Sequence, residues 1–293
     1  MPNRVLLQLD CDPQPSSFDA IVAVDAGVDV LLRHGGVTAA TVEPLVHGAM
    51  FTRGGTDLAS TAIFVGGSDV AAAEAVADRV RRTFFGPVRV GVLVDPNGAN
   101  TTASAAVVAA SRHMSFAAEP RCVVLGGTGP VGQRVARLLA GKGGHVTVAS
   151  RSLEKSTEVV RGIQAVVPRA RIAAVAGLTP VAIGSPLAEV IAGADLIVAA
   201  GAAGTTLLDA AGRQAAARAR VIIDLNAVPP AGVAGVISTD KARPEGDTLL
   251  YGALGVGSLK MKIHKGAIAR IFAASDAFLD AEELLAIGES LTA

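Results

Sequence analysis

Residues 121–139 read RCVVLGGTGPVGQRVARLL, and the order of features within them decides the fold. Cys122–Leu125 is a short apolar run suited to a buried strand. Gly127-Thr128-Gly129-Pro130-Val131-Gly132 follows, with the spacing G-x-G-x-x-G. Val131, Val135, Leu138 and Leu139 then recur at helical spacing. Strand, glycine turn and helix in this order make the phosphate-binding turn of a Rossmann-type sheet. Gly127 permits the tight turn, Gly129 lets the backbone approach a pyrophosphate, and Gly132 lets helix and strand pack closely. The orphan N–H groups and the dipole at the helix start favour the anion. The glycine spacing alone is a weak signal; the strand before it and the helix after it give it weight.

Downstream, the next strand, His145–Ala149, runs into Ser150-Arg151-Ser152. An NAD enzyme places an acid near this point for the ribose 2′-hydroxyl. Here the acid is missing and Arg151 stands beside it. A guanidinium suits a 2′-phosphate, so NADP is the expected cofactor, with NAD possible, Ser150 adding a hydrogen bond. The alternative for Arg151 is an ordinary surface residue. The alternation continues through a helix (Leu153–Ala165), a strand (Arg171–Val175), a helix (Pro186–Ile191), a strand (Leu196–Ala199), a helix (Thr206–Ala217) and a strand (Val221–Asp224). This order calls for a parallel, doubly wound sheet. Ala200, Gly201 and Asn226 fall at carboxyl ends of strands, where ligands of open α/β sheets bind. Asp224 and Asn226 also suit loop capping.

Upstream, strands are expected at Val5–Leu9, Thr61–Val65 and Arg89–Val94. An imperfect helical pattern covers Phe18–Arg33, and a helix capped by Ser68 carries Val70, Ala73, Val76, Ala77 and Val80 on one face. Asp95–Asn100 reads as a polar turn before an Ala-rich helix to about His113. Gly252-Ala253-Leu254-Gly255-Val256-Gly257 reads as a glycine loop opening a helix from Ser258 to Phe272, and a last helix runs from about Ala281 to Leu291. The expected architecture is two α/β domains, the second Rossmann-type, with C-terminal helices packing across the cleft. The boundaries fall at 1–116, 117–257 and 258–293.

Composition narrows the function. The 293 residues are 51% hydrophobic and 18% charged, which argues against disorder. Aromatics make up only 3%, so the core is aliphatic, as parallel sheets favour. The formal net charge of zero gives no nucleic-acid footprint. No apolar run reaches the ~18–20 residues of a membrane span. Cys11 and Cys122 are isolated, which fits reduced thiols in the cytoplasm. The five histidines show no metal-ligand spacing, and His264 is expected on the surface, one turn beyond Lys260.

Further segments carry a resemblance. They are Ser17-Phe18-Asp19, residues 50–55 (MFTRGG), 60–67 (STAIFVGG), 84–87 (FFGP), 95–102 (DPNGANTT), the glycine turn, and 252–262 (GALGVGSLKMK). In these the chain resembles the bacterial NAD(P)-dependent methylene-tetrahydromethanopterin dehydrogenases of one-carbon metabolism, relatives of methylene-tetrahydrofolate dehydrogenases, over nearly its whole length. Pro96 and Ser258 stand where relatives often have other residues. The resemblance implies reversible hydride transfer from a methylene-tetrahydropterin to NADP, giving the methenyl form, with the pterin in the cleft between two domains. It also implies a homo-oligomer, a trimer or hexamer.

The chemistry needs no nucleophile or metal. The reacting carbon lies between two nitrogens whose lone pairs stabilise the cation left behind, so the protein must mainly position two rings and supply a field. Asp19 and Asp95 are candidate carboxylates for the developing charge; a helix-dipole partner and a turn cap are their alternatives. Lys260 is the candidate cation, neutral or bonded to a pterin carbonyl, against a plain helix-surface lysine. Asn97 and Asn100 are candidates for reading the pterin edges or shaping the turn. Arg53 would touch pterin or a neighbouring subunit. Gly255 is expected near the cofactor. Two other functions fit the same motif: an NADP-dependent ketone reductase of the shikimate dehydrogenase kind, which needs a proton donor, and a non-catalytic NADP sensor.

Overall fold

A computed structural model describes residues 2–177 and 184–291. The chain forms two compact units, one of residues 1–101 with 261–293, the other of residues 102–260. These divisions fall inside helices, whose composition carries no boundary signal, and so differ from the expected limits at 116/117 and 257/258.

The first unit holds a five-stranded parallel sheet. Its strands are β1 (Val5–Asp10), β2 (Val30–His34), β3 (Thr61–Gly66), β4 (Gly91–Val94) and, late in the chain, β12 (Phe278–Leu279). Their order is β12-β4-β3-β1-β2, in register Leu7↔Ile63, Leu7↔Leu32 and Ile63↔Val92. The chain reverses direction across the sheet between β1 and β3, and ligands of open α/β sheets bind at such a switch point, outside the carboxyl ends of the strands. Leu7, Leu9, Ile63, Val65, Val76, Val80 and Val92 build an aliphatic core. The unit also contains α1 (Ser17–Asp25), α2 (Glu43–Phe51), α3 (Val70–Thr83) and α10 (Ala281–Ser290).

The second unit holds a seven-stranded sheet. Its strands are β5 (Arg121–Leu125), β6 (His145–Ser150), β7 (Ile172–Ala176), β8 (Leu196–Ala199), β9 (Val221–Asp224), β10 (Lys241–Glu245) and β11 (Thr248–Tyr251). Their order is β10-β11-β9-β8-β5-β6-β7, parallel except for the β10–β11 hairpin. The first five parallel strands thus run 3-2-1-4-5, the doubly wound order with its switch point between β5 and β8. The connecting helices are α5 (Pro130–Gly141), α6 (Leu153–Val166), α7 (Pro186–Ala192) and α8 (Ala210–Ala215). Two helices, α4 (Ala99–Ser111) and α9 (Ala253–Ile271), continue from one unit into the other.

Several local expectations need correction. The single pattern over Phe18–Arg33 is helix α1 followed by strand β2. Gly27 breaks the helix at φ +87°, and Val30 and Leu32 then alternate with their neighbours on a partly exposed edge strand, which blurs the period. Asp69, not Ser68, caps α3, accepting from the Ala72 amide at 3.0 Å. The Ser68 hydroxyl is engaged elsewhere, donating to Asp12 at 2.8 Å. The helix expected at Thr206–Ala217 shrinks to α8, because the Leu207 and Leu208 amides both donate to the Gly232 carbonyl. Strands β10–β12 and helix α2 escaped the sequence reading; each is short or partly exposed, so its hydrophobic period is weak.

Candidate functional site

At the switch point of the second unit, the glycines behave as close-approach residues. Gly126, one residue before the expected motif, is the one with left-handed backbone, φ +70°. A Cβ there would lie 2.6 Å from the Gly201 Cα, so the loops leaving β5 and β8 meet backbone to backbone. Sequence reading gave the tight turn to Gly127. In the structure Gly127 instead makes room for the Val148 side chain, 2.7 Å from its would-be Cβ. Gly132 packs on the turn, its would-be Cβ 2.7 Å from the Gly127 Cα. Gly129 caps α5 and has nothing nearer than 3.6 Å, which leaves the approach above it open. Pro130 occupies N1, where a missing N–H costs nothing, and Thr128 and Val131 flank it. An unobstructed glycine thus stands at the start of a helix whose first N–H groups lack intrahelical partners, a geometry able to accept an anion.

Beyond β6, Ser150 is buried and its hydroxyl is committed to the turn. It donates to the Ser152 carbonyl at 3.0 Å and accepts from the Ser152 amide at 3.1 Å. Ser152 caps α6. Arg151 between them is exposed, and no described residue hydrogen-bonds or ion-pairs with it. Ala200 donates its amide to the Leu125 carbonyl at 2.9 Å, and Gly201 is kept bare by Leu207, 2.7 Å from a would-be Cβ. Asn226 donates to Pro230 O and accepts from the Val228 amide, both at 3.0 Å, and also accepts from the Gly204 amide in the loop after β8 at 3.4 Å. Buried Asp224 accepts from the Asn226 and Val233 amides at 3.0 Å. Burial raises its carboxyl above the ordinary carboxylate range, against the pull of those bonds. Gly232 is required there, since a Cβ would stand 2.5 Å from Asp224 Oδ1.

In the first unit, Asp95 is buried and both its oxygens serve the start of α4. Oδ1 accepts from the Asn100 and Thr101 amides, Oδ2 from the Thr101 hydroxyl at 2.6 Å. Asn100, also buried, donates to Val94 O and to Asp280 Oδ1, both at 2.6 Å. Asn97 is exposed with φ 53°, a left-handed position that asparagine tolerates. Arg53 donates to Asn3 O at 2.9 Å and Ser60 O at 2.8 Å, clamping the chain before β1 to the chain before β3. Asp19 is half-buried in the first turn of α1, its amide bonded to Ser16 Oγ at 3.2 Å. Sequence reasoning missed Asp10, Asp12 and Gly67 at the β1/β3 switch point. Asp12 accepts the Ser68 amide at 3.0 Å, and a Cβ on Gly67 would stand 2.9 Å from the Cys11 Cβ. The signal for them was positional: residues at the carboxyl ends of the first and third strands.

The expected glycine loop before Lys260 is helix. Gly252 precedes α9 and Gly255 lies in its first turn; a Cβ on either would overlap the backbone carbonyls of Ile237 or Asp240. These glycines let α9 start directly on the 237–240 segment, where Ser238 O receives the Leu254 amide at 2.7 Å. Lys260 is half-buried at the end of the second turn of α9. His264 is not on the surface. It is fully buried and stacks on Phe64, with centroids 5.8 Å apart. Among the described residues no three His, Cys, Asp or Glu side chains group to hold a metal. No described helix is long and apolar enough to cross a membrane.

Fold and turn define a dinucleotide-binding α/β protein of the two-unit dehydrogenase kind. The shikimate 5-dehydrogenase of Listeria monocytogenes shares the fold, with TM-score 0.55 at 15% identity over 99% of this chain and 96% of that one. So does the 5-ketofructose reductase of Gluconobacter, with TM-score 0.54 at 15% identity over 99% of each chain. Residues 17–97 match the family described as methylene-tetrahydromethanopterin dehydrogenase, N-terminal. A Methylorubrum extorquens relative named bifunctional protein MdtA is 40% identical over 99% of this chain and 100% of its own. The NAD(P)-dependent methylenetetrahydromethanopterin dehydrogenase of the same organism is 32% identical over 84% of each. The chain belongs to the methylene-tetrahydromethanopterin dehydrogenase family.

Proposed function

We propose that this enzyme transfers hydride reversibly between methylene-tetrahydromethanopterin and NADP, with methylene-tetrahydrofolate as a second substrate. The observation that carries the reading is the match over 84% of each chain to a relative named for that reaction and for NAD(P). The glycine cradle supports it. When bound, NADP supplies the hydride acceptor. Gly127–Gly132 would hold its pyrophosphate, Ala200 and Gly201 would line the nicotinamide end, and Arg151 would take the 2′-phosphate.

The protein's own work is then positional and electrostatic. Asp19, in the first turn of α1 beside the β1/β3 switch point, is the carboxylate we assign to the positive charge that develops on the substrate, while Asp95 serves the start of α4. We assign Lys260 to a carbonyl of the pterin rather than to the reacting carbon, where an ammonium would oppose cation formation. Asn97, exposed beside the β4 end, is assigned to a pterin edge. Asn100, bonded to Val94 O and Asp280, and Arg53, bonded to backbone carbonyls, act by shaping the loops around it. A cytoplasmic homo-oligomer belongs to the same proposal.

The test is to mix the purified protein with methylene-tetrahydromethanopterin and NADP and follow the methenyl product and NADPH together, repeating with methylene-tetrahydrofolate and with NAD. Equal amounts of both products are expected. NADP binding without turnover of either pterin would sink the proposal and revive the ketone-reductase and sensor readings.

A further inference from the structure

Strand β1 is otherwise aliphatic and buried from Leu6 onward, yet two of its buried positions are polar: Gln8, 1% exposed, and Asp10, 0% exposed. Such side chains are costly in the middle of a parallel sheet unless every polar atom finds a partner. Theirs converge on one residue. Ser16 donates its amide to Asp10 Oδ2 at 2.9 Å, and its carbonyl accepts from Gln8 Nε2 at 3.0 Å. Gln8 Oε1 accepts from Arg33 Nε at 3.1 Å, and the same guanidinium donates to Pro15 O. The other oxygen of Asp10 accepts from the Asp12 amide at 2.9 Å. Gly35 leaves room for Pro13 O to pass, 2.3 Å from a would-be Cβ being no room for any other residue.

Ser16 is the N-cap of α1, so this grip fixes where α1 begins. The helix needs it. Isolated helices this short are not stable, and helices in proteins are held by the burial of an apolar face. α1 buries only Val22 and Ala23, while Phe18, Ile21 and Val24 are 53%, 64% and 61% exposed. Core packing therefore fixes this helix weakly, and buried polar groups fix its first turn strongly. That turn carries Ser17, Phe18 and Asp19 beside the β1/β3 switch point.

We infer that Gln8 and Asp10 are positioning residues for the tetrahydropterin: they touch no substrate, and they hold the first turn of α1 in the place where Phe18 and Asp19 meet it. The inference rests on the proposed pterin chemistry. It explains why a sheet interior keeps an amide and a carboxyl where valine or leucine would pack.

The test is steady-state kinetics of the full-length protein and its Q8L, D10L and D10N variants, with each substrate varied at saturating levels of the other. Q8L and D10L are expected to raise KM for methylene-tetrahydromethanopterin at least tenfold and to lower kcat, with KM for NADP within twofold of the parent. D10N keeps one acceptor oxygen for the Ser16 amide but sets its NH2 against the Asp12 amide, and is expected to recover part of the loss. A general loosening of the fold would move both KM values together, and that result, or an unchanged pterin KM, overturns the positioning role. Should Q8L or D10L fail to fold, R33M, altered only at an exposed guanidinium, gives the same reading: a rise confined to the pterin KM supports the grip, and no rise overturns it. Failure of the parent protein to turn over any tetrahydropterin is a separate result, which overturns the functional reading and this inference with it.

Discussion

Replacing Arg151 by alanine separates cofactor selectivity from every other property of the protein. The side chain is exposed and supports no described neighbour, so nothing in the fold is left unsatisfied. Stability should move by less than about 0.5 kcal/mol, as for other such surface changes. Against a 2′-phosphate, a hydrogen bond involving a charged group contributes about 1.5–3 kcal/mol. Water screens an exposed pair, which puts Arg151 at the lower end, about 1.5 kcal/mol. With tenfold in affinity for every ~1.4 kcal/mol, the Kd for NADPH should rise about 10-fold, and that for NADH by less than about twofold. Neighbouring Ser150 cannot take over, because its only hydroxyl proton already goes to the Ser152 carbonyl. Titration by the fluorescence of bound reduced nicotinamide reads both constants, and the chain suits it, having no Trp and a single Tyr, Tyr251. Equal weakening of both cofactors, or an unchanged NADPH constant, would refute the assignment of the 2′-phosphate to Arg151.

Three more outcomes follow from the geometry. Asp95→Ala strands the Asn100 and Thr101 amides in a buried place and should cost about 2–4 kcal/mol in denaturant unfolding, with Asp95→Asn costing less; a fall in kcat without loss of stability would return Asp95 to the chemistry. Gly255→Ala pushes a methyl into the Asp240 carbonyl and should cost about 3 kcal/mol with NADP affinity retained in the folded fraction; selective loss of NADP binding at full stability would make Gly255 a cofactor contact instead. Burial first, then Asp10, Asp12 and Asp69, pushes the Cys11 thiol up to about 11, and burial, then Asp195, pushes Cys122 up to about 12. Since the thiolate is the reacting form, alkylation of the native protein at pH 8 should run about 100-fold slower than in denaturant and keep rising with pH past 9; a plateau near pH 9 would contradict these environments.

The sequence exposed the second unit more fully than the first, for a physical reason. Around Gly127–Gly132 the demands of turn, approach and packing fall on consecutive residues, so a local pattern reveals them. Even there Gly126 escaped notice, because its need for glycine comes from Gly201, far away in the chain. The pattern Gly252–Gly257 misled in the opposite sense: its glycines serve the docking of α9 on residues 237–240, a contact with no local signature. In the first unit the informative residues are buried polar groups, Gln8, Asp10, Asp95 and Asn100. A strand period marks which face a residue lies on, but not which distant amide its side chain will meet. His264 was misplaced on the surface for the same reason, since only the packed sheet brings Phe64 beneath it.

The most direct measurement follows the hydride itself. Methylene-tetrahydromethanopterin carrying two deuterons on its methylene carbon is incubated with the enzyme and NADP, and the reduced cofactor is analysed by mass spectrometry and proton NMR. One deuterium is expected at C4 of the nicotinamide for each methenyl product, with none lost to water, because the step moves a hydride and no proton. Deuterium released to solvent, or NADPH formed without label, would contradict it.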